Sequence, residues 1–271
     1  DSFEVVAYSQ LDAKKHDPIT DTLSKSVDKW VDIAHLSDKE VAKRVRQDKI
    51  DILVDCNGYT QGHRLGVFAL KPAPVQVSAF GFIFTTGMRS IDYQFSDAIA
   101  TPPERETLYT ERLIHLSSQI HWRPLLPEIE ALSVREEPPF KTNGYITFGS
   151  GNATCKHNEQ VIALWAAIMR AVPNSKIHFK HVLFGEPHIQ AHFNGKFAKY
   201  GVTEDRLLFT GQTSPVEHLR FYNEIDIALD PFPYTGGMTT CETLYMGVPV
   251  IALDGEGIRT SQSLLTVAGA S

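Results

Sequence analysis

IDIALDPFPYTGGMTTCETLYMGVPVIAL, residues 225–253, reads as strand, turn, helix and strand in quick succession. Ile225–Asp230 is a short apolar run that ends in a Pro-aromatic turn. Gly236-Gly237 then precede Thr239-Thr240 at the start of a helix over Thr239–Met246, which Gly247 closes before a second apolar run, Val248–Leu253. A strand, a helix and another strand this close together form the unit of a parallel sheet. The two glycines let backbone approach a ligand, and the free N–H groups and positive dipole end of the helix favour phosphate. The threonine hydroxyls add donors to the same anion. Glu242 reads as part of the first turn, where its carboxylate can accept from vicinal sugar hydroxyls. The same letters also describe a Thr-capped helix with an acidic first turn.

Upstream the alternation continues. Tyr145–Gly149, Lys176–Lys180 and Leu207–Thr210 read as strands. Between them, Asn158–Val172 is an amphipathic helix stopped by Pro173-Asn174, His188–Tyr200 a helix closed by Gly201, and Ser214–Glu224 a third. Residues 124–143 carry four prolines and little periodicity, which suits a linker. The first part of the chain repeats the pattern less cleanly. Phe3–Tyr8, Ile50–Cys56, Val75–Phe80 and Ile91–Phe95 are strand-like, and Ser37 with Glu40 forms a capping box before a helix over Ser37–Lys49. The expectation is an α/β fold of two Rossmann-like parallel-sheet lobes, residues 1–123 and 144–271. In such sheets ligands bind beyond the carboxyl ends of the strands.

Three further segments fall at those ends. In FGSGNATCK (residues 148–156), Asn152 and Lys156 follow a strand, where the lysine can neutralise a diphosphate. It is not a P-loop, since GxxxxGK[ST] is absent. In TSPVEHLRF (residues 213–221), Thr213 and His218 lie on the edge where a base or ribose would rest. In the first lobe, DCNGYTQGHR (residues 55–64) and FGFIFTTG (residues 80–87) offer Tyr59, His63, Arg64, Gly81 and Phe82 as sugar or acceptor contacts. A surface lysine and a solvated histidine are the ordinary alternatives for Lys156 and His218.

At 271 residues with 42% hydrophobic content, the chain can bury two cores rather than remain disordered. A net charge of −6 gives no global basic field for nucleic acid or an anionic membrane. Cys56, Cys155 and Cys241 are far apart, which argues against a disulfide framework or a structural zinc site and suits a cytoplasmic location. No apolar run is long enough to span a membrane. His188 and His192 are four apart on a helix but lack a third ligand, so no metal site is expected.

Residues 230–249 closely resemble the segment of the O-GlcNAc transferase and SPINDLY family, glycosyltransferase family 41, where a Thr-rich turn meets a nucleotide-sugar diphosphate. Three stretches agree in order: NGYTQGHRLGVFALKPAPVQVSAFGF, FGSGNATCK with the helix bearing Trp165 and RAVPNS, and GEGIRTSQSLLTVAG. The resemblance implies a GT-B fold with a cleft between two Rossmann-like lobes, and inverting, metal-independent transfer from a nucleotide sugar to Ser or Thr of proteins. It assigns the diphosphate to Lys156, Thr239 and Thr240, the uracil to His218, and the ribose to Glu242. It matches Arg259 without giving it a role. Ala153, Pro215 and Gly237-Met238 depart from the animal enzymes, and the FPYTG and TTCETLYMGVP wording is nearer SPINDLY, whose members include GDP-fucose users. The expected donor is UDP-GlcNAc or another UDP- or GDP-sugar, with no cofactor. The family's first strand, its histidine-bearing loop and its tetratricopeptide repeats are expected upstream of Asp1. The catalytic base is therefore unassigned, with His63 and His121 the first candidates within the chain. A non-catalytic nucleotide-sugar-binding module and a GT-B sugar-nucleotide epimerase are the alternatives.

Overall fold

Every strand pairing among the described residues is parallel, and the pairings fall into three sheets. The computed structural model describes residues 2–255 and 257–270, and the chain divides into two units, Asp1–Leu126 and Pro127–Ser271.

The first unit runs β1 (Val6–Ser9), α1 (Pro18–Ser24), β2 (Lys29–Asp32), α2 (Asp38–Gln47), β3 (Ile52–Asp55), α3 (Leu65–Ala69), β4 (Val75–Ser78), β5 (Tyr93–Ser96) and β6 (Arg112–His115). β1 pairs with β2, and β3-β4-β5-β6 form a four-stranded sheet in sequence order. α2 forms where the capping box predicts. The Ser37 N–H donates to Glu40 Oε2 at 2.8 Å, and Ser37 Oγ caps the Glu40 N–H. Its apolar face, Val41, Ala42 and Val45, packs with Val31, Ile33, Leu53 and Phe68 in one core. Asp48, just past the helix, joins Lys29 at 2.7 Å, Arg44 at 2.8 Å and the Tyr8 hydroxyl at 2.8 Å, which ties the β1-β2 pair to α2.

The second unit runs α4 (Pro127–Glu130), α5 (Phe140–Asn143), β7 (Thr147–Ser150), α6 (Glu159–Ala171), β8 (Lys176–Lys180), α7 (Pro187–Ala198), β9 (Leu207–Thr210), α8 (Pro215–Arg220), β10 (Ile227–Leu229), α9 (Met238–Tyr245), β11 (Val250–Ile251) and α10 (Thr260–Val267). One face of the sheet is sealed by aromatics: Phe179 contacts Trp165, Phe184, Phe193, Phe197 and Phe209. The residues read as linker are tied down from Pro127 onward. Ile129 is buried, and the Asp226 carboxylate accepts the Phe140 N–H at 2.9 Å and the Thr147 N–H at 2.8 Å.

The strand order is β9-β8-β7-β10-β11. Starting from β7, the chain winds one way through β8 and β9, then returns to build β10 and β11 on the other side. The connections reverse between β7 and β10, and that reversal opens a crevice at their carboxyl ends.

Candidate functional site

Both segments singled out for phosphate leave that reversal point. β7 delivers residues 151–156, and β10 delivers Asp230 and the turn to α9. Asn158 caps α6 through the Val161 N–H, and its Nδ2 donates to the Phe232 carbonyl at 2.7 Å, so the two segments are fixed to each other. The Lys156 ammonium donates to Asn152 Oδ1 at 3.1 Å and to the Thr235 carbonyl at 2.8 Å, and lies 4.4 Å from the centre of the Tyr234 ring. Burial pushes its pKa down, while the charge of Asp230 pulls it up.

Asn152, itself buried, also accepts from Thr239 Oγ1 at 3.3 Å. Lys156, Asn152 and Thr239 thus form one polar cluster at the start of α9. No side chain caps that helix, whose residue before the first turn is Gly237. Its first N–H groups keep the donor capacity that every uncapped helix start has. Gly236 has to be glycine. A Cβ there would stand 2.4 Å from Thr240 Oγ1, 2.8 Å from Asp230 Oδ1 and 2.9 Å from Thr239 Oγ1.

The two threonines part company. Thr239 stays half-exposed, whereas Thr240 is buried with its hydroxyl 3.1 Å from Ser261 Oγ at the start of α10. Glu242 is the fifth residue of α9, just past the first turn in which the sequence reading put it, because the helix begins at Met238. There His218 Nε2 stands 3.0 Å from Glu242 Oε2, and the Tyr222 hydroxyl donates to the same oxygen at 3.2 Å. Burial holds the Tyr222 hydroxyl well above its ordinary pKa, and the charge of Glu242 adds to this. Thr213 is exposed and accepts from Lys180 Nζ at 2.7 Å, on the approach to α8.

In the first unit the loops after β3 and β4 press together through their glycines. Gly58, at φ +54°, meets Phe82, and a Cβ on Gly81 would overlap the Cys56 carbonyl. Tyr59 lies edge-on to both His63 and Phe82, and its hydroxyl donates to the Thr86 carbonyl at 2.6 Å. His121 packs against Phe80. Arg64 takes no part in this aromatic group. Its guanidinium pairs with Asp38 at 2.6 Å and donates to the Leu36 carbonyl at 2.8 Å, which locks the start of α3 to the α2 region. Among the described residues no group of three His, Cys, Asp or Glu side chains is placed to hold a metal ion.

The sequence pattern of glycosyl transferase family 41 matches residues 1–122 and 128–271. The chain belongs to glycosyl transferase family 41. It is 37% identical, over 98% of its length, to the probable UDP-N-acetylglucosamine–peptide N-acetylglucosaminyltransferase SPINDLY of Arabidopsis thaliana, and it covers 29% of that protein. It is 30% identical to the SEC protein of the same plant, over 96% of the chain and 27% of that protein. A solved O-GlcNAc transferase variant from Thermobaculum terrenum superposes with a TM-score of 0.90 at 36% identity, over 98% of this chain and half of that one, 50%. The chain thus spans under a third of the length of these curated relatives, and its fold is the GT-B arrangement of parallel α/β units.

Of the residues singled out in the sequence, the structure brings Lys156, Asn152 and Thr239 into one cluster and sets His218 against Glu242, and the residues that hold them were missed. Tyr222 follows His218 by four positions, a helical spacing that puts two side chains on one face and could have revealed it. Asp230 directly follows β10, and Tyr234 and Ser261 carried no signal of their own.

Proposed function

We propose that this chain is the catalytic region of a protein glycosyltransferase, moving a sugar from a nucleotide diphosphate sugar to Ser or Thr of an acceptor protein with inversion. The observation that carries this reading is the Lys156–Asn152–Thr239 cluster beside the uncapped start of α9 at the sheet's reversal point. In the step, the acceptor hydroxyl oxygen bonds to the anomeric carbon from the face opposite the diphosphate. The bond from that carbon to the diphosphate oxygen breaks, and the electron pair leaves on the diphosphate. Lys156, the Thr239 hydroxyl and the α9 N–H groups stabilise that charge in the transition state. The pair His218 and Glu242 holds the nucleoside, with the ribose hydroxyls donating to the carboxylate. The hydroxyl proton passes to a base, for which His63 and His121 are the first candidates to test.

The donor is UDP-GlcNAc or another UDP- or GDP-sugar, GDP-fucose among them. No metal ion or cofactor is required, because a lysine and a helix start supply the positive charge that Mg²⁺ gives in other transferases. The acceptor is a protein or peptide presented by tetratricopeptide repeats upstream in the full-length protein. Nucleic acid is not a partner, and the protein works in the cytoplasm. Among the described residues no helix is long and apolar enough to cross a membrane.

Calorimetry with UDP and GDP, each with and without EDTA, tests the donor site, and transfer of labelled GlcNAc or fucose by the full-length protein tests the reaction. Binding that survives chelation, followed by transfer, is the expected result. Binding restored only by Mg²⁺ or Mn²⁺ overturns the metal-free mechanism. Donor binding without transfer to any protein hydroxyl favours a nucleotide-sugar-binding module.

A further inference from the structure

Beneath the glycine turn lies a carboxylate to which no role has been given. Asp230 directly follows β10, is 5% exposed, and accepts the Gly236 N–H on Oδ1 at 2.8 Å. Its other oxygen, Oδ2, is buried without a hydrogen-bond partner. The Ser261 hydroxyl, from the start of α10, and the Asn152 amide, from the segment after β7, lie beside the carboxyl and favour its charged form without closing a bond on Oδ2. Ser261 Oγ instead donates to the Gly236 carbonyl at 3.0 Å.

Among the described residues, Lys156 is the charged side chain that acts on Asp230. On α9 the titratable Cys241 is pushed up to about 11 by burial, and the Thr239 and Thr240 hydroxyls bond Asn152 and Ser261. Burial, the largest influence, pushes the Asp230 carboxyl up to about 6, against the pull of Ser261, the Gly236 N–H, Lys156 and Asn152. A buried carboxylate with an unmet oxygen is held in its charged form largely by what stands around it.

That balance changes when an anion arrives. A diphosphate beside Lys156 and Gly236 takes over the lysine's charge and brings negative charge of its own within a few ångströms of Asp230. Like charges at that range disfavour ionisation. We propose that Asp230 is a positioning residue for the donor diphosphate, holding the Gly236 turn and taking up a proton when the diphosphate binds. The proposal rests on the donor-site reading above. The expected linkage has a definite sign. Between about pH 6 and the higher titration point of the complex, affinity falls as pH rises, by at most about tenfold per pH unit for one proton.

The test is calorimetry of UDP-GlcNAc binding at pH 7 in buffers of different ionisation enthalpy. This donor is chosen because its diphosphate, esterified at both ends, has no titration near neutrality. Wild-type protein should take up a proton, and Asp230→Asn, which keeps an acceptor for the Gly236 N–H, should bind without uptake. Uptake that persists in Asp230→Asn, or no uptake in either protein, overturns the proposal. If wild-type protein binds no UDP-GlcNAc, the donor reading fails separately. The Gly236 amide resonance, titrated with and without inorganic pyrophosphate, then decides. A midpoint near pH 6 that pyrophosphate moves upward supports Asp230, and a flat or unmoved titration overturns it. This wild-type titration also decides the matter if Asp230→Asn does not fold.

Discussion

His218 and Glu242 share a single contact, Nε2 to Oε2 at 3.0 Å, on the same carboxylate oxygen that accepts the Tyr222 hydroxyl. Both partners come from the α8 region and both fix Glu242 from one side. A carboxylate has acceptor capacity for about four hydrogen bonds, so two held sites leave room for a pair of vicinal hydroxyls. On the proposed donor reading, the side chain is oriented before a ribose reaches it, which lowers the ordering cost of binding.

Replacing Glu242 tests that arrangement. Glu242→Ala should weaken UDP binding by about 1.5–3 kcal/mol, the range for a hydrogen bond to a charged group. Glu242→Gln keeps one acceptor and should lose less. Calorimetry with UDP and with inorganic pyrophosphate separates the effects, because pyrophosphate has no ribose and its affinity should hold in both variants. A parallel loss for both ligands would place Glu242 outside the nucleoside site.

Lys156 should show the opposite selectivity. Lys156→Met keeps an apolar stem but removes the ammonium that lies over Tyr234, and should weaken UDP by about 1.5–3 kcal/mol while leaving uridine binding unchanged. Equal losses for UDP and uridine would mean that the variant disturbed the Asn152 and Thr235 contacts rather than a phosphate contact.

The second unit was far more legible in the sequence than the first, for a physical reason. Its central strands β7 and β8 are buried on both faces and its helices carry clear stops, so Lys176–Lys180 and the helix before Pro173-Asn174 stand out as pattern. β6, by contrast, is an edge strand of largely exposed residues, Arg112–His115, and presents no apolar run. β2 mixes Lys29 and Asp32 around two apolar residues and is invisible for the same reason. Single-residue chemistry followed the same rule. Lys156, after β7, and His218, on the helix after β9, stood out as polar letters, whereas the fate of Thr240 and Arg64 depended on partners 21 and 26 residues away, Ser261 and Asp38.

Glycine substitutions distinguish a packed turn from an open helix surface. Gly236→Ala forces a methyl group among three oxygens and should destabilise the second unit by about 1–3 kcal/mol, with loss of UDP binding. Gly195, exposed within α7, has nothing within 4 Å of an added Cβ. Gly195→Ala should stabilise by about 0.5–1 kcal/mol through helix propensity alone. Urea denaturation of both variants checks the pair, and a Gly236→Ala protein with wild-type stability and affinity would refute the tight turn.

Asp230 also leaves a mark on stability. Its carboxyl, pushed up to about 6 by burial, binds a proton more tightly in the folded chain than in the unfolded one, whose value is near 3.8. A raised carboxylate works against folding as it ionises. Its contribution is neutral below about pH 4, and stability is lost as pH rises from about 4 to about 6. Each tenfold difference in proton affinity between the two states is worth about 1.4 kcal/mol, so the loss amounts to no more than about 3 kcal/mol. Asp230→Asn removes the charge and keeps the Gly236 contact. The variant should match wild type at pH 4 and exceed it at pH 7.5 by up to that amount. Urea melts followed by Trp165 fluorescence, with Trp30 and Trp122 of the first unit replaced by Phe in both proteins, report on this unit, because Trp165 is buried in its core. A variant that is less stable than wild type at pH 7.5 would mean that Asp230 stays charged through a partner, and the proton-uptake proposal would lose its physical basis as well.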